Sequence, residues 1–149
     1  MSRTTRVMSC SPDDVFAVLE DGWSYGMWVV GAARIRDVDA HWPQAGSRIH
    51  HSVGVWPVLL SDNTQVERVE TPRLLQLRVR AWPTGEGRVT LTLNPTDSGE
   101  TEVVMEEQAV SGPATMIPTP VQDFVLHQRN IEALRRLAYL AEHHARNRK

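Results

Sequence analysis

The sequence predicts an α+β fold: an antiparallel sheet of about seven strands, one long C-terminal helix covering it, and two short helices after the first strand. Three observations predict it. Alternation of period two runs from Ala32 to Val110. The separators in that stretch are turn-like and too short for crossover helices, so the strands form a meander of hairpins. The last element repeats apolar residues at three- and four-residue spacing, the period of a helix with one apolar side.

Taken in order, Arg3 to Cys10 alternates weakly and reads as the first strand. Ser11-Pro12-Asp13-Asp14 is a helix start: Ser11 can cap, Pro12 suits the first helical position, and the two carboxylates sit where the dipole favours anions. Val15, Phe16, Val18 and Leu19 give this helix an apolar side, and Asp21-Gly22 ends it. A second short helix is predicted over Trp23 to Val30, kept brief by Gly26 and Gly31.

The predicted strands are Ala33 to Val38, Ser47 to Val55, Leu59 to Val69, Leu74 to Trp82, Arg88 to Leu93 and Thr101 to Val110. Leu75, Leu77, Val79 and Ala81 share one face. So do Val89, Leu91 and Leu93, and so do Val103, Met105, Glu107 and Ala109. The opposite faces carry Gln76, Arg78, Arg80, Thr90, Thr92, Glu106 and Gln108. One wet and one dry face means antiparallel strands. Pro57 marks a bend, bulge or edge position, because it has no amide proton for a central ladder. From Pro118 or Pro120 to His144, a helix roughly 35–40 Å long presents Val121, Phe124, Val125, Gln128, Ile131, Leu134, Leu137, Ala138 and Ala141. It can cover that stripe only by lying across the dry face of the sheet.

Composition narrows the function classes. The chain has 149 residues, 41% apolar and 23% charged, with net charge −2. These values fit one domain, residues 1–149, with one core, and argue against disorder. No apolar run is long enough to span a bilayer, and no apolar segment follows Arg3 and Arg6 as a signal peptide would require. Cys10 is the only cysteine, which leaves no internal disulfide and suits a reducing, cytoplasmic setting. The mild negative charge argues against a nucleic-acid partner. Five basic residues lie between Arg135 and Lys149, where a helix dipole gathers cations before the chain frays. No Gly-rich phosphate loop, no nucleophile with a base, and no His/Glu cluster at metal-ligand spacing occurs, so neither a cofactor nor a metal is expected. His50 and His51 are neighbours in a strand and point to opposite faces, so only one can look inward.

The Ser11-Pro12-Asp13-Asp14-Val15-Phe16-Ala17-Val18-Leu19 start, the Trp28-Val29-Val30-Gly31-Ala32 segment, the Trp42-Pro43-Gln44-Ala45-Gly46-Ser47 turn and the Arg129-to-Leu137 stretch resemble the START-like, helix-grip (SRPBCC) superfamily, in its polyketide cyclase/dehydrase-like branch. The resemblance covers nearly the whole chain. It implies a curved sheet wrapped around the C-terminal helix, with an apolar cavity between them. These are scaffold features, and one such fold hosts many functions.

On that reading the cavity candidates are Trp23, Trp28, Trp56, Leu77, Leu91, Met105, Glu107, Phe124, His127, Gln128 and Ile131. Each tryptophan is equally readable as a core filler; Trp82 suits surface packing. Glu107 stands out as a carboxylate on an apolar face, where it needs a partner. A bulge beside Glu106 would instead turn it to solvent. His127, on or beside the inward stripe, is either a satisfied flank of the core or, with Glu107, an acid–base pair.

Three functions follow from the resemblance. The first is binding or carriage of a small hydrophobic or aromatic molecule: a lipid, aromatic polyketide or isoprenoid. The second is a polyketide cyclase/aromatase that uses Glu107 and His127. The third is a stress-related protein-interaction module. No stable membrane insertion is expected, and pairing of sheet edges into a homodimer is left open.

Overall fold

A computed structural model of the chain describes residues 1–29, 34–55, 58–81 and 85–148. The elements in order are β1 (Ser2–Met8), α1 (Pro12–Glu20), a 3-10 turn (Gly22–Ser24), α2 (Tyr25–Trp28), β2 (Arg34–Val38), β3 (Arg48–Val55), β4 (Val58–Glu70), β5 (Leu74–Ala81), β6 (Gly85–Pro95), β7 (Thr101–Ser111), a 3-10 turn (Pro113–Met116) and α3 (Thr119–Arg148).

Local chemistry sets the helix starts. The Ser11 hydroxyl accepts from the Asp14 amide at 3.3 Å while the Ser11 amide donates to the Asp14 carboxylate at 3.4 Å, a closed capping box. Asp21 then accepts from the Trp23 amide and the Ser24 hydroxyl. This starts a 3-10 turn, so the helix predicted over Trp23 to Val30 is divided into that turn and the four residues of α2.

All seven strands form one antiparallel sheet in the order β1-β7-β6-β5-β4-β3-β2. The curved sheet wraps α3. Register shifts between Val66 and Arg68 and between Ile35 and Asp37 mark bulges, which bend strands and sharpen their twist. The predicted strand from Arg88 begins three residues earlier, at Gly85, which pairs with Ala81 and adopts φ +116°. A Cβ there would lie 2.0 Å from the Ser111 carbonyl oxygen, an approach and a backbone conformation that favour glycine.

The dry face is buried as predicted for Leu75, Leu77, Val89, Leu91, Leu93, Val103 and Met105, and α1 adds Val15, Phe16 and Leu19 to the same core. The wet face is laced by Arg88 on Glu67 and Arg78 on Glu86, each at 2.8 Å.

The long helix departs from the single apolar stripe. Ala133, Leu134, Leu137, Ala138 and Ala141 enter the core. Phe124 is 66% exposed, Ile131 43%, and Gln128 is also exposed. Apolar residues in the first half point in a different direction from those in the second, so the two halves do different work. The end of α3 also does not fray where predicted. It runs to Arg148, whose guanidinium donates to both carboxylate oxygens of Asp14 at 2.9 and 3.0 Å. Among the described residues, no helix is long and apolar enough to cross a membrane.

Candidate functional site

A cleft of about 230 Å³ opens between the ends of β5 to β7 and the first turns of α3. Val79, Gly87 and Ala109 form its sheet side, and Val121, Val125 and Leu126 its helix side. Val121, Val125 and Arg129 recur every four residues, so one side of α3 brings two apolar groups and one cation to the cleft. Gly85 and Gly87 carry no side chain into it.

Glu107 is the buried charge on this wall, 7% exposed. The β6–β7 register runs without a slip through Val89↔Glu107 and Leu91↔Met105, which keeps Glu107 on the inner face and excludes the solvent-facing alternative. One carboxylate oxygen is bonded to the Arg129 guanidinium, and the other, Oε1, has no partner among the described residues. A buried carboxylate with one oxygen unsatisfied is costly in an apolar wall and is a ready acceptor for a hydroxyl or amine.

Glu107 and His127, paired in the sequence reading, have separate partners. His127 Nδ1 lies 3.0 Å from the Thr4 hydroxyl, because β1 is seated against β7 with Thr4 opposite Met105. Trp28, Leu77, Leu91 and Met105 are buried in the core, Trp28 edge-on to Tyr25 at 5.6 Å. Trp23 is 58% exposed, and neither it nor Phe124, Gln128 or Ile131 is on the cleft wall. Trp56 and Trp82 lie outside the described residues.

Two groups escaped the sequence reading. Arg129 was legible only as scaffold, although its spacing from Val121 and Val125 places it on their side of the helix. The second group is a buried chain of polar residues: the Tyr25 hydroxyl is 2.8 Å from Thr64 Oγ1, and Thr64 Oγ1 is 3.2 Å from His51 Nε2. The Tyr25 and His51 rings stack at 6.0 Å. His51 is the inward member of its pair; His50 faces Asp39 at 3.1 Å. Burial pushes the Tyr25 phenol up to about 12; the Thr64 hydrogen bond opposes the rise, and the Glu107 carboxylate adds to it. Burial also holds His51 below the ordinary histidine value. Both therefore stand neutral at pH 7.

A larger groove, about 560 Å³, lies among Arg6, Met27, Arg135, Arg136 and Tyr139. Its arginines Arg135 and Arg136 are already engaged by Glu132 at 2.9 Å, and Met27 and Tyr139 are exposed. Cys10 is buried, and burial, first, with Asp14 and Glu142 nearby, raises its thiol to about 11, so it is a poor nucleophile. Among the described residues no group of three or more His, Cys, Asp or Glu comes together as a metal would need.

Comparison with known proteins agrees with this architecture. The family described as polyketide cyclase / dehydrase and lipid transport matches residues 2–139. The chain belongs to that family. Its fold is similar to the crystal structure of a protein from Nitrosomonas europaea (TM-score 0.71, 16% identity, 95% of this chain and 93% of that one). It is also similar to one from Rhodobacter sphaeroides (0.69, 22%, 93% and 89%). A solution structure from Arthrobacter aurescens is similar at 0.71, with 14% identity over 95% of this chain and 85% of that one. At these identities the likeness concerns the fold. No curated protein matches the sequence.

Proposed function

We propose that the protein binds and carries a small, largely apolar molecule in the cleft between β5–β7 and α3, with the Glu107–Arg129 pair orienting its polar group. One observation carries this reading: a buried carboxylate with an oxygen unsatisfied among the described residues, on the wall of a largely apolar cleft. Apolar surface removed from water contributes about 25 cal/mol per Å², so a modest hydrophobe binds there without covalent chemistry, and a hydroxyl or amine on it would satisfy Glu107 Oε1.

Native mass spectrometry of gently purified protein tests it. The expected result is a retained small molecule that is lost from Val125→Trp, a substitution that fills the cleft. Retention unchanged in Val125→Trp would place the ligand elsewhere, and failure to bind any apolar probe would remove the carrier reading.

A further inference from the structure

The cleft has a closed end and an open one. On the sheet side, Glu107 sits opposite Val89, and Val89 opposite Leu77. Both neighbours are buried in the core and neither is on the cleft wall. The next row on the same face, Ala109, Gly87 and Val79, does line the cleft. The helix side repeats this order. Ala133, one turn beyond Arg129, is in the core, whereas Val125 and Val121, one and two turns before it, are on the wall. The Glu107–Arg129 pair therefore stands where the cleft closes. Apolar lining runs outward from it to Val121, about 12 Å along α3 at about 1.5 Å per residue.

That closed end offers two open valences of opposite kind. Glu107 Oε1 is a carboxylate oxygen with no partner among the described residues, and it accepts. The Arg129 guanidinium carries several N–H donors and accepts nothing; among the described residues its one acceptor is the other Glu107 oxygen. The remaining polar side chains of the wall are engaged or turned away. Glu86 accepts from Arg78 and Ser111, and Gln122 donates to the Ala114 carbonyl at 2.9 Å. Gln108, next to Glu107 in β7, belongs to the opposite face of the sheet. The pair's charges cancel. A carboxylate entering the closed end would face Glu107, and an ammonium would face Arg129, each a juxtaposition of like charges away from water. The head group that answers both valences is neutral and carries a donor and an acceptor on one carbon.

We propose that the cleft selects a small apolar molecule with a neutral carboxamide head, whose N–H donates to Glu107 Oε1 while its carbonyl oxygen accepts from Arg129, and whose apolar body lies outward along Val125 and Val121. This rests on the carrier reading and adds to it the chemical class of the ligand's head and its orientation. The body is limited in size: a cavity of about 150 Å³ holds benzene, so a cleft of about 230 Å³ holds one ring with a short chain.

A matched set of para-butyl benzenes tests the proposal by calorimetry. The carboxamide carries both functions, the methyl ketone only the acceptor, the aniline only the donor, the carboxylate a charge, and butylbenzene none of these. The carboxamide is expected to bind about tenfold more tightly than the ketone or the aniline, the gain of one buried hydrogen bond in each comparison. The carboxylate should bind more weakly than the carboxamide. Glu107→Met should erase the advantage of carboxamide over ketone. The double variant Glu107→Met/Arg129→Met, which leaves no charge buried alone, should erase both advantages and provides the readout if Glu107→Met does not fold. The proposal is overturned if the carboxamide gains less than about twofold over either probe, if the carboxylate binds more tightly than the carboxamide, or if the advantages survive in the double variant. A protein that binds butylbenzene, loses it in Val125→Trp and ignores the head group loses only this inference. One that binds none of the five loses the carrier reading with it.

Discussion

Arg148 grips both carboxylate oxygens of Asp14, tying the last turn of α3 to the first turn of α1. His144 Nδ1 adds a contact at 3.2 Å. Asp14 thus closes its own capping box and anchors the far end of another helix. Asp14 is nearly fully buried and Arg148 is half exposed, so the two residues are unequal. Asp14→Ala is expected to lower stability by about 2–3 kcal/mol, through the lost cap and the lost charged hydrogen bonds. Arg148→Ala should cost clearly less, as solvent-screened pairs do. Urea titration of the two variants measures both.

The same carboxylate gives stability a pH dependence. The Arg148 hydrogen bonds hold Asp14 well below the usual carboxylate range, with Ser11 and His144 adding to the effect against desolvation. Between its unfolded value, near 3.8, and its depressed folded value, the unfolded chain binds more protons, so stability rises with pH. The contribution is complete above about pH 4 and is lost as pH falls through the folded value. Acid titrations of wild type and Asp14→Asn should converge at low pH and separate above it.

His51 acts in a higher window. Its folded value is lowered by burial below 6.5, so below about pH 6.5 the unfolded chain takes up a proton that the folded chain resists, and stability falls with pH. Denaturant midpoints between about pH 7.5 and about pH 5.5 (one unit either side of that value) should decline more steeply for wild type than for His51→Phe as the pH is lowered. Equal slopes would mean that His51 titrates normally.

The Glu107–Arg129 pair is asymmetric. Glu107 is buried, whereas the Arg129 side chain is 41% exposed. Removing the cation leaves a buried carboxylate unpaired, so Arg129→Ala should cost roughly 2–4 kcal/mol. Glu107→Gln leaves Arg129 to solvent and should cost less. A double-mutant cycle reads the coupling; equal single costs would argue that Glu107 is hydrated.

The split of α3 is testable by packing. Leu137→Ala, in the closed core, should cost about 2–5 kcal/mol. Phe124→Gln, on the exposed first half, should fall within about 0.5 kcal/mol of wild type. Thermal melts of the two variants separate a divided helix from a continuous stripe.

These residues also show what was legible in the chain. Leu75 and Leu77, Val89, Leu91 and Leu93, and Val103 and Met105 declared their face because strand alternation is local. Glu107 was legible for the same reason, as a charge breaking an apolar file. Its partner was not: Arg129 reaches it only because α3 crosses β7. His127 meets Thr4 instead of Glu107 because the first strand pairs with the last, a long-range choice with no local signature. Phe124 and Ile131 read as core from helical spacing alone, which cannot reveal that the sheet supports only half the helix. The Tyr25–Thr64–His51 chain draws on three elements, and nothing in any one of them marks it.

The seating of β1 beside β7 has a consequence for how the molecule is made. Residues 2–8 find their ladder partners only at 101–107, and Asp14 waits for an arginine 134 positions downstream. During synthesis the β1 segment must stay unpaired until residues 101–107 have left the ribosome. Contacts of such high sequence separation slow folding. Until residues 101–107 emerge, β1 waits unpaired beside hairpins that lack β7, and that interval is when chaperone cover matters most.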